Sequence, residues 1–229
     1  MKDCHVLVIT PHPDDAEFGI AGTVIKWVRE NKEVVYVVCT NGNKGSRDPD
    51  MTPEKLAGIR ESEQLAAAEL LGVREVVFLR YDDQSLEDTP EFRKELVRQI
   101  RTFRPEIVVT SDPYKKYLWH RDHRITGRVV LDAVFPYARD RLAYPDLLEE
   151  GLQPHKVEQV LLWASDNPNY FSDISDTFDK KMAALRCHHS QIDNLPPEFE
   201  ERMKKHYREF ATGTGYLYVE ALYRVDTMW

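Results

Sequence analysis

Continuous apolar segments rich in β-branched residues alternate with helix-type segments along the first half of the sequence. The segments are His5–Thr10, Glu33–Thr40, Glu75–Leu79 and Glu106–Ser111. Strands that are apolar on both faces are typical of a parallel sheet covered by helices on both sides. Their alternation with helices predicts βαβ units. We therefore expect an α/β fold: a Rossmann-like, mostly parallel sheet with helices on both faces, in a three-layer α/β/α arrangement.

The segments between these strands carry the signals of helix ends. Thr52 is a predicted N-cap followed by Pro53, and Gly72 stands where a helix commonly ends. Thr89 and Pro90 start the next helix in the same way. No repeat or linker divides the sequence, so we expect one domain over residues 1–229. Further along we predict helices over Asp122–Tyr137 and Asp176–His188, strands over Val157–Trp163 and Tyr216–Val225, and loops over Asn167–Ser172 and Gln191–Pro197.

The charge and the cysteines limit which partners the protein can have. The sequence has 31 Lys and Arg against 39 Asp and Glu, a net charge of −8. Nucleic acids and anionic membranes attract basic surfaces instead. Three scattered cysteines, Cys4, Cys39 and Cys187, predict a reducing compartment and no disulfide framework. With no signal-peptide pattern and no bilayer-length apolar run, we expect a cytoplasmic protein that binds neither nucleic acid nor membrane.

Three polar segments follow predicted strands directly. They are His12–Asp15, Thr40–Gly45 and Ser111–His123. In open α/β sheets, ligands bind beyond the carboxyl ends of the strands. We therefore expect these segments to converge on one site although the sequence separates them.

The histidines and aspartates of these segments could hold a metal ion. Adjacent aspartates such as Asp14 and Asp15 more often cap a helix, a position that its dipole favours. A second cluster, with His120 and His123, favours a metal instead. One imidazole from each cluster and one carboxylate give three protein ligands with an open position, the plan of a catalytic zinc site. The other carboxylate could accept a proton from water whose pKa the metal lowers, and the other histidine could stabilise an oxyanion or protonate an amine.

Several short motifs occur in one order between about residues 5 and 192. They are Pro11-His12-Pro13-Asp14-Asp15-x-Glu17; Thr40, Gly42 and Gly45 in T-x-G-x-x-G; Arg60 and Glu63 in R-x-x-E; Tyr81-Asp82-Asp83; His120-x-Asp122-His123; and His188-His189-Ser190-Gln191. Together they resemble the LmbE-like, or PIG-L-type, N-acetylglucosaminide deacetylases. Each motif alone is weak, whereas the ordered set is specific.

The resemblance implies a site and a reaction. It implies one divalent ion per chain, usually Zn²⁺, held by His12, Asp15 and His123, with Asp14 as general base and His120 as the residue that stabilises or protonates. The implied reaction is hydrolysis of the N-acetyl group of an N-acetylglucosamine-type sugar or its conjugate, with release of acetate. It also implies a homo-oligomer, a trimer or a hexamer. The implied substrate-binding residues are Arg60, Asp83 and His188, the last serving its own site or that of a neighbouring subunit.

Simpler roles stay open for several of these residues. Arg60 could pair with a neighbouring glutamate on its helix surface. Asp83 could belong to a turn, and His188 could end its helix favourably against the dipole. Asp122 could cap its helix or contact a ligand imidazole. The aromatic residues that could stack on a sugar, or pack in the core, are Tyr114, Tyr117, Trp119 and Trp163.

Two other functions fit parts of this pattern. One is a metal-dependent amidase or esterase that acts on another small metabolite. The other is a non-catalytic Rossmann-like module that binds a sugar or a nucleotide, although no G-x-G-x-x-G follows the first strand. The metal is also open, because two imidazoles and a carboxylate can hold Fe²⁺ or other ions as well as Zn²⁺.

Overall fold

Strands from residue 6 to residue 226 share one sheet. The computed structural model describes residues 3–193 and 195–227. The strand order is β3-β2-β1-β4-β5-β7-β6; β1 to β5 are parallel, and β7 runs antiparallel to both β5 and β6. The predicted α/β, mostly parallel fold is confirmed; that one domain spans residues 1–229 stays a prediction. The strands are β1 (Val6–Thr10), β2 (Val34–Thr40), β3 (Glu75–Tyr81), β4 (Ile107–Ser111), β5 (Gln159–Trp163), β6 (Tyr170–Asp173) and β7 (Val219–Asp226).

Helices cover both faces of the sheet, and β1 shows why. Val6 and Val8 belong to a core cluster that includes residues of α1 and α2. Leu7 and Ile9, on the opposite face, belong to a cluster that includes residues of α3 and α4. All four side chains are fully buried, as a continuous apolar strand requires. The helices are α1 (Asp15–Arg29), α2 (Pro53–Leu71), α3 (Pro90–Phe103), α4 (Arg121–Asp132), α5 (Pro145–Glu149), α6 (Phe178–Arg186), α7 (His189–Ile192) and α8 (Phe199–Ala211).

The predicted helix-end signals of α2 and α3 are confirmed. The Thr52 hydroxyl accepts a hydrogen bond from the Lys55 amide at 3.3 Å, and the Thr89 hydroxyl accepts one from the Phe92 amide at 3.2 Å. Gly72 ends α2 with a φ of 85°, a left-handed conformation that glycine adopts without steric cost.

The helix predicted over Asp122–Tyr137 is too long. α4 ends at Asp132, and Ala133–Tyr137 forms a π-helical turn. Inside that turn Phe135 leaves helical angles, with a φ of −146° and a ψ of 124°. Pro136 follows it, and a residue before proline is pushed towards extended backbone. The proline is therefore the physical reason for the shorter helix.

Other differences lie near the carboxyl end of the chain. The predicted loop Asn167–Ser172 contains most of β6, which pairs with β7. The predicted loop Gln191–Pro197 begins within α7, and its residue 194 lies outside the described residues. The helix predicted over Asp176–His188 is confirmed in part as α6, which is shorter at both ends. The sequence prediction missed α8 altogether.

The sheet topology creates a crevice beside β1. This strand lies between β2 and β4, and the chain runs from β1 outward through β2 and β3 before it returns to β4 on the other side. The connections that follow β1 and β4 therefore leave in opposite directions. Such a switch point is where ligands bind in open α/β sheets. The segments His12–Asp15 and 112–123 follow these two strands, which places the predicted site residues at the crevice.

Candidate active site

The turn between β1 and α1 holds Asp14 in a left-handed backbone conformation. Its φ is 91°, and such a conformation costs a non-glycine residue on the order of 1–3 kcal/mol. Two side chains of α2 hold the turn. The Asp14 amide donates to Gln64 Oε1 at 3.0 Å, and Arg60 Nη2 donates to the Pro13 carbonyl at 2.6 Å. The two adjacent carboxylates then have different partners: Asp14 lies 3.4 Å from Arg60 Nη2, whereas Asp15 faces histidines.

Three imidazoles meet above this turn. The His12 ring centroid lies 4.5 Å from that of His120 and 5.2 Å from that of His123, and the latter two are 5.3 Å apart. One nitrogen from each ring lies within 4.8 Å of the others. His120 is the N-cap of α4 and His123 lies in its first turn, so their spacing of three residues places both on the same side.

The Asp15 carboxylate joins two of these histidines. Its Oδ2 lies 2.9 Å from His12 Nδ1, and its Oδ1 lies 3.2 Å from His123 Nε2. The backbone amide of His12 also donates to Oδ2 at 3.0 Å. The structure thus brings together the three residues that the family resemblance implies as metal ligands.

Two more carboxylates lie at the other nitrogen of His12. Asp83 Oδ1 and Asp122 Oδ2 are each 3.2 Å from His12 Nε2, and both residues are buried. His12, Asp83 and Asp122 form a second set whose possible ligand atoms lie within 4.8 Å of one another. Asp122 also accepts a hydrogen bond from the Gln84 amide at 2.7 Å, so its side chain contacts an imidazole and does not cap α4. His12 is common to both sets.

The carboxylates around His12 favour a positive charge. Burial opposes protonation of His12, but its hydrogen bonds with Asp122 and Asp15 outweigh burial and raise its pKa to about 11. Burial also opposes ionisation of Asp83 and Asp122, yet contact with His12 holds the pKa of each below its usual value. Against burial, His123 and His12 hold the pKa of Asp15 well below its usual value. The carboxylates that stabilise the positive charge on His12 would also stabilise a divalent cation, which has to displace that proton when it binds.

The residues present fit a transition metal ion. Among the described residues, Oδ1 of Asp122 is buried without a hydrogen-bond partner, which is unusual for a carboxylate oxygen. Imidazole nitrogens and carboxylate oxygens are donors that Zn²⁺ and Fe²⁺ both accept. We infer a candidate centre for one divalent ion, to which His12 contributes.

Asp14 and His120 have environments suited to proton transfer. Burial raises the pKa of Asp14 to about 7, while the Arg60 guanidinium acts in the opposite direction. Burial and the nearby His12 lower the pKa of His120. The Asp122 amide donates to His120 Nδ1 at 3.3 Å, so the proton of the neutral ring lies on Nε2. A carboxyl group with a pKa near 7 and a neutral imidazole with its N–H on Nε2 therefore lie beside the candidate centre.

A cavity of about 190 Å³ opens on one side of this cluster. Most of its wall consists of polar and charged side chains, and we call it the polar cavity. Its volume and lining suit a hydrophilic ligand that approaches the histidines. The lining residues are His12, Asp14, Lys44, Gly45, Arg60, Asp83, Gln84, His120 and Gln191.

Arg60 is a buried residue of this cavity. Only 4% of its surface is exposed, and Nη1 donates to the Gly42 carbonyl at 3.2 Å. A Cβ at Gly42 would approach Nη1 within 2.7 Å, so this loop needs a glycine there. The alternative of a surface pair is wrong, because Glu61 and Glu63 bind other partners.

His188 lies behind Asp14 and not on the described wall of the polar cavity. It is fully buried, and its Nε2 is 3.2 Å from Glu17 Oε2. Glu17 Oε1 accepts a hydrogen bond from Gln64 Nε2 at 3.0 Å, and Gln64 in turn accepts from the Asp14 amide. His188 thus supports its own chain's turn, and contact with a substrate stays a prediction.

Gln64 and Glu17 are supporting residues that the sequence interpretation missed. Glu17 stood at the end of the first motif, and Gln64 follows Arg60 by four residues on α2. Residues spaced by four lie on the same face of a helix, so the position of Arg60 could have pointed to Gln64. No comparable spacing marks Lys44 and Gln84, which reach the polar cavity through the loops after β2 and β3.

The four aromatic candidates divide into two groups. Trp163 is buried in the core, and a Cβ at Gly19 would approach its ring within 2.7 Å. Tyr114, Tyr117 and Trp119 have exposed fractions of 77%, 78% and 86% on the loop between β4 and α4. For these three, stacking on a sugar stays a prediction.

The fold and this cluster define a class of protein: a Rossmann-like α/β protein with a histidine–carboxylate centre at its topological switch point. The profile of the PIG-L family, described as GlcNAc-PI de-N-acetylase, matches residues 7–134. The chain belongs to this PIG-L, or LmbE-like, family of deacetylases, which confirms the resemblance seen in the motifs.

Relatives and solved structures agree with that assignment. The chain is 38% identical over 210 residues to diacetylchitobiose deacetylase of Thermococcus kodakarensis, which covers 92% of this chain and 77% of the relative. It is 28% identical to a probable N-acetyl-α-D-glucosaminyl L-malate deacetylase 2 of Bacillus anthracis, covering 92% and 89%. The structure of N,N'-diacetylchitobiose deacetylase from Pyrococcus horikoshii with its inhibitor MPG superposes with a TM-score of 0.92 at 32% identity, covering 97% of this chain and 84% of the other.

One further finding concerns membranes. Within residues 3–193 and 195–227, none of the helices combines the length and apolar character needed to cross a bilayer. The expected homo-oligomer and cytoplasmic location stay predictions.

Proposed function

We propose that the protein is a zinc-dependent deacetylase that removes the N-acetyl group from an N-acetylglucosamine-type sugar or its conjugate. The observation that carries the proposal is the convergence of His12, Asp15 and His123 beside Asp14 at the edge of a polar cavity. The names of relatives that act on diacetylchitobiose and on an N-acetylglucosaminyl malate support the sugar class.

His12, Asp15 and His123 would hold one Zn²⁺ per chain, with Fe²⁺ as the alternative that such donors allow. When bound, the ion supplies Lewis-acid chemistry to the acetyl carbonyl and to the attacking water. Asp83 and Asp122 contact the His12 ring and would fix its orientation.

Asp14 would act as general base. It would accept a proton from the attacking water, whose oxygen forms a bond to the acetyl carbon, and pass that proton to the amine nitrogen as the C–N bond breaks. Acetate and a free amino sugar result. A buried carboxylate with a pKa of about 7 suits both halves of this transfer. Arg60, 3.4 Å away, keeps the carboxylate oriented.

His120 would donate the proton on Nε2 as a hydrogen bond to the oxygen that becomes negative during attack. Its lowered pKa keeps the ring neutral, and it lines the polar cavity. Arg60 and Asp83 would bind sugar hydroxyls from the opposite wall. Both residues line the polar cavity.

The test is release of acetate by the metal-loaded protein. The substrates are N-acetylglucosamine, N,N'-diacetylchitobiose, and the malate and inositol glycosides of N-acetylglucosamine, with metal analysis of the same sample. We expect acetate from at least one of them and one Zn²⁺ per chain. Hydrolysis of unrelated amides or esters alone would favour the wider amidase or esterase function. Sugar binding with no metal and no turnover would favour a non-catalytic module.

A further inference from the structure

A second cavity lies on the other side of the candidate metal centre. It has a volume of about 310 Å³ and lies between α1, the end of β5 and α8. We call it the apolar cavity. Asp15 and His123, which belong to the centre, form part of its wall. The apolar side chains of its wall include Phe18, Leu118, Trp163, Met203 and Phe210.

The two cavities meet the centre from different sides. Asp14, Arg60 and His120 line the polar cavity but not the apolar one, whereas Asp15 and His123 line the apolar cavity but not the polar one. An amide carbonyl carbon carries two substituents, the amine and the acyl chain. If the sugar amine occupies the polar cavity, the acyl chain at the centre points towards the other side.

We propose that the apolar cavity binds the acyl chain, and that the enzyme hydrolyses N-acyl amino sugars whose acyl groups are longer than acetyl. This inference rests on the proposed deacetylase function and names the substrate class of the same site. An acetyl methyl group would leave most of the apolar cavity empty. Its volume is in the range of sites that hold small molecules, about 300–1,000 Å³.

The polar groups on this wall include Lys115, which is half-buried, and also Glu220 and His206. The Glu220 carboxylate accepts hydrogen bonds from Lys181 Nζ at 2.8 Å, from the Gly22 amide at 2.9 Å and from the Thr23 amide at 2.8 Å. Burial lowers the pKa of His206, which favours its neutral form. Apart from the half-buried Lys115, the surroundings of this cavity match an uncharged alkyl chain.

The reaction is the same for any chain length. Water supplies its oxygen to the acyl carbon and a proton to the nitrogen, the C–N bond breaks, and an alkanoic acid and the free amino sugar leave. No further reactant is needed.

The first experiment is a chain-length series on the zinc-loaded enzyme, with N-acetyl-, N-butyryl- and N-hexanoylglucosamine. Because each buried methylene favours binding about fourfold, we expect kcat/KM for the hexanoyl substrate to exceed that for the acetyl substrate by at least about tenfold. In parallel, calorimetry measures binding of hexanoate and of acetate, a readout that needs no turnover. Hexanoate should bind at least about tenfold more tightly, for the same reason.

The second experiment fills the cavity with Met203→Trp on α8. The matched control is Lys205→Trp on the same helix, at a side chain that is 80% exposed and not part of the cavity wall. Met203→Trp should remove the preference for hexanoyl substrates and for hexanoate, because the indole ring would occupy the space that the alkyl chain needs. Lys205→Trp should keep both preferences. Should Met203→Trp not fold, the chain-length series and hexanoate binding of the unaltered protein still decide.

The outcomes separate the two proposals. Acetyl hydrolysis with hexanoyl turnover lower than acetyl turnover overturns the acyl-chain inference and leaves the proposed function standing. No hydrolysis of any member overturns both. Equal loss of hexanoyl turnover in Met203→Trp and Lys205→Trp would show that the preference does not come from this cavity.

Discussion

Two connections form the candidate active site, and they are built in opposite ways. The turn after β1, Pro11–Asp15, is buried or nearly so and is held by side chains of α2. The loop after β4, Asp112–Trp119, exposes large aromatic rings and reaches the site mainly through the histidines that follow it. We refer to them as the β1 turn and the β4 loop. The site therefore combines a buried, braced turn with an exposed loop.

The rigidity of the β1 turn has a cost and a consequence. The left-handed backbone at Asp14 is unfavourable by itself, so contacts from elsewhere must maintain it. Those contacts fix Asp14, the proposed base, and the adjacent Asp15 relative to each other. The aromatic side chains of the β4 loop are exposed instead, so the fold constrains them less. We therefore expect substitutions in or behind the β1 turn to change chemistry, and substitutions of the exposed aromatic rings of the β4 loop to change little.

The largest effect is expected for Asp15→Ala. This carboxylate contacts both His12 and His123, so its loss should remove the bound metal and reduce acetate release to the background of the assay. Metal analysis and the acetate assay on one sample check this. The matched control is Asp82→Ala, because Asp82 is exposed and its carboxylate contacts only asparagine side chains among the described hydrogen bonds. A metal-replete, active Asp15→Ala protein would contradict the assignment.

Asp14→Asn should be next in size. The variant keeps the shape of the side chain but cannot accept the proton, so kcat should fall by about 10²–10⁴-fold. Metal content should stay at one ion per chain, because Asp15 and the histidines are unchanged. The measurement is steady-state kinetics together with metal analysis. Near-normal turnover in a metal-replete sample would exclude Asp14 as the base.

Part of the fold and of the candidate site could be predicted from the sequence. Continuous apolar strands, helix caps and polar residues at strand ends depend on local pattern, so β1 to β5 and the meeting of His12 with His120 could be predicted. The sequence also held a signal for α8 that was missed: Phe199, Met203, Tyr207 and Phe210 recur at helical spacing. A short segment such as β6 has no such pattern, because its pairing with β7 depends on residues some fifty positions away.

Gln64, Asp83 and Asp122 show more clearly which features of the site the sequence could not predict. A glutamine in the middle of a helix normally faces solvent, and only the packing of α2 against the β1 turn buries Gln64 between Asp14 and Glu17. The approach of Asp83 and Asp122 to one nitrogen of His12 likewise depends on how three loops meet. Sequence spacing predicts which residues reach the crevice, whereas hydrogen-bond partners depend on tertiary geometry.

Gln64→Leu should have an intermediate effect. It removes the acceptor for the Asp14 amide and the donor to Glu17, and each buried group left unpaired costs about 1–3 kcal/mol of stability. Because the residue positions the base and does not bind sugar, kcat should fall by about 10–100-fold, as for other supporting residues, while KM stays nearly constant.

The control for this prediction is Gln99→Leu on α3. Gln99 is also buried and donates to Glu95 at 2.9 Å, but it lies away from the β1 turn. This variant should lose stability without losing kcat. Steady-state kinetics and thermal unfolding of both variants separate the two effects. If kcat falls equally in both, Gln64 has only a structural role.

The smallest effect is expected for Trp119→Ala in the β4 loop. The ring is 86% exposed although its neighbour His120 lines the polar cavity, so its removal should change the free energy of unfolding by less than about 0.5 kcal/mol. We also expect kcat and KM for N-acetylglucosamine to change by no more than about twofold, the factor that corresponds to a free-energy difference of about 0.5 kcal/mol. Kinetics with N-acetylglucosamine and with N,N'-diacetylchitobiose test this directly. A rise in KM confined to the disaccharide would show that the ring stacks on a second sugar, and the β4 loop would then contribute specificity. A fall in kcat larger than that of Gln64→Leu would reverse the comparison, because chemistry would then depend on the exposed loop more than on the buried turn.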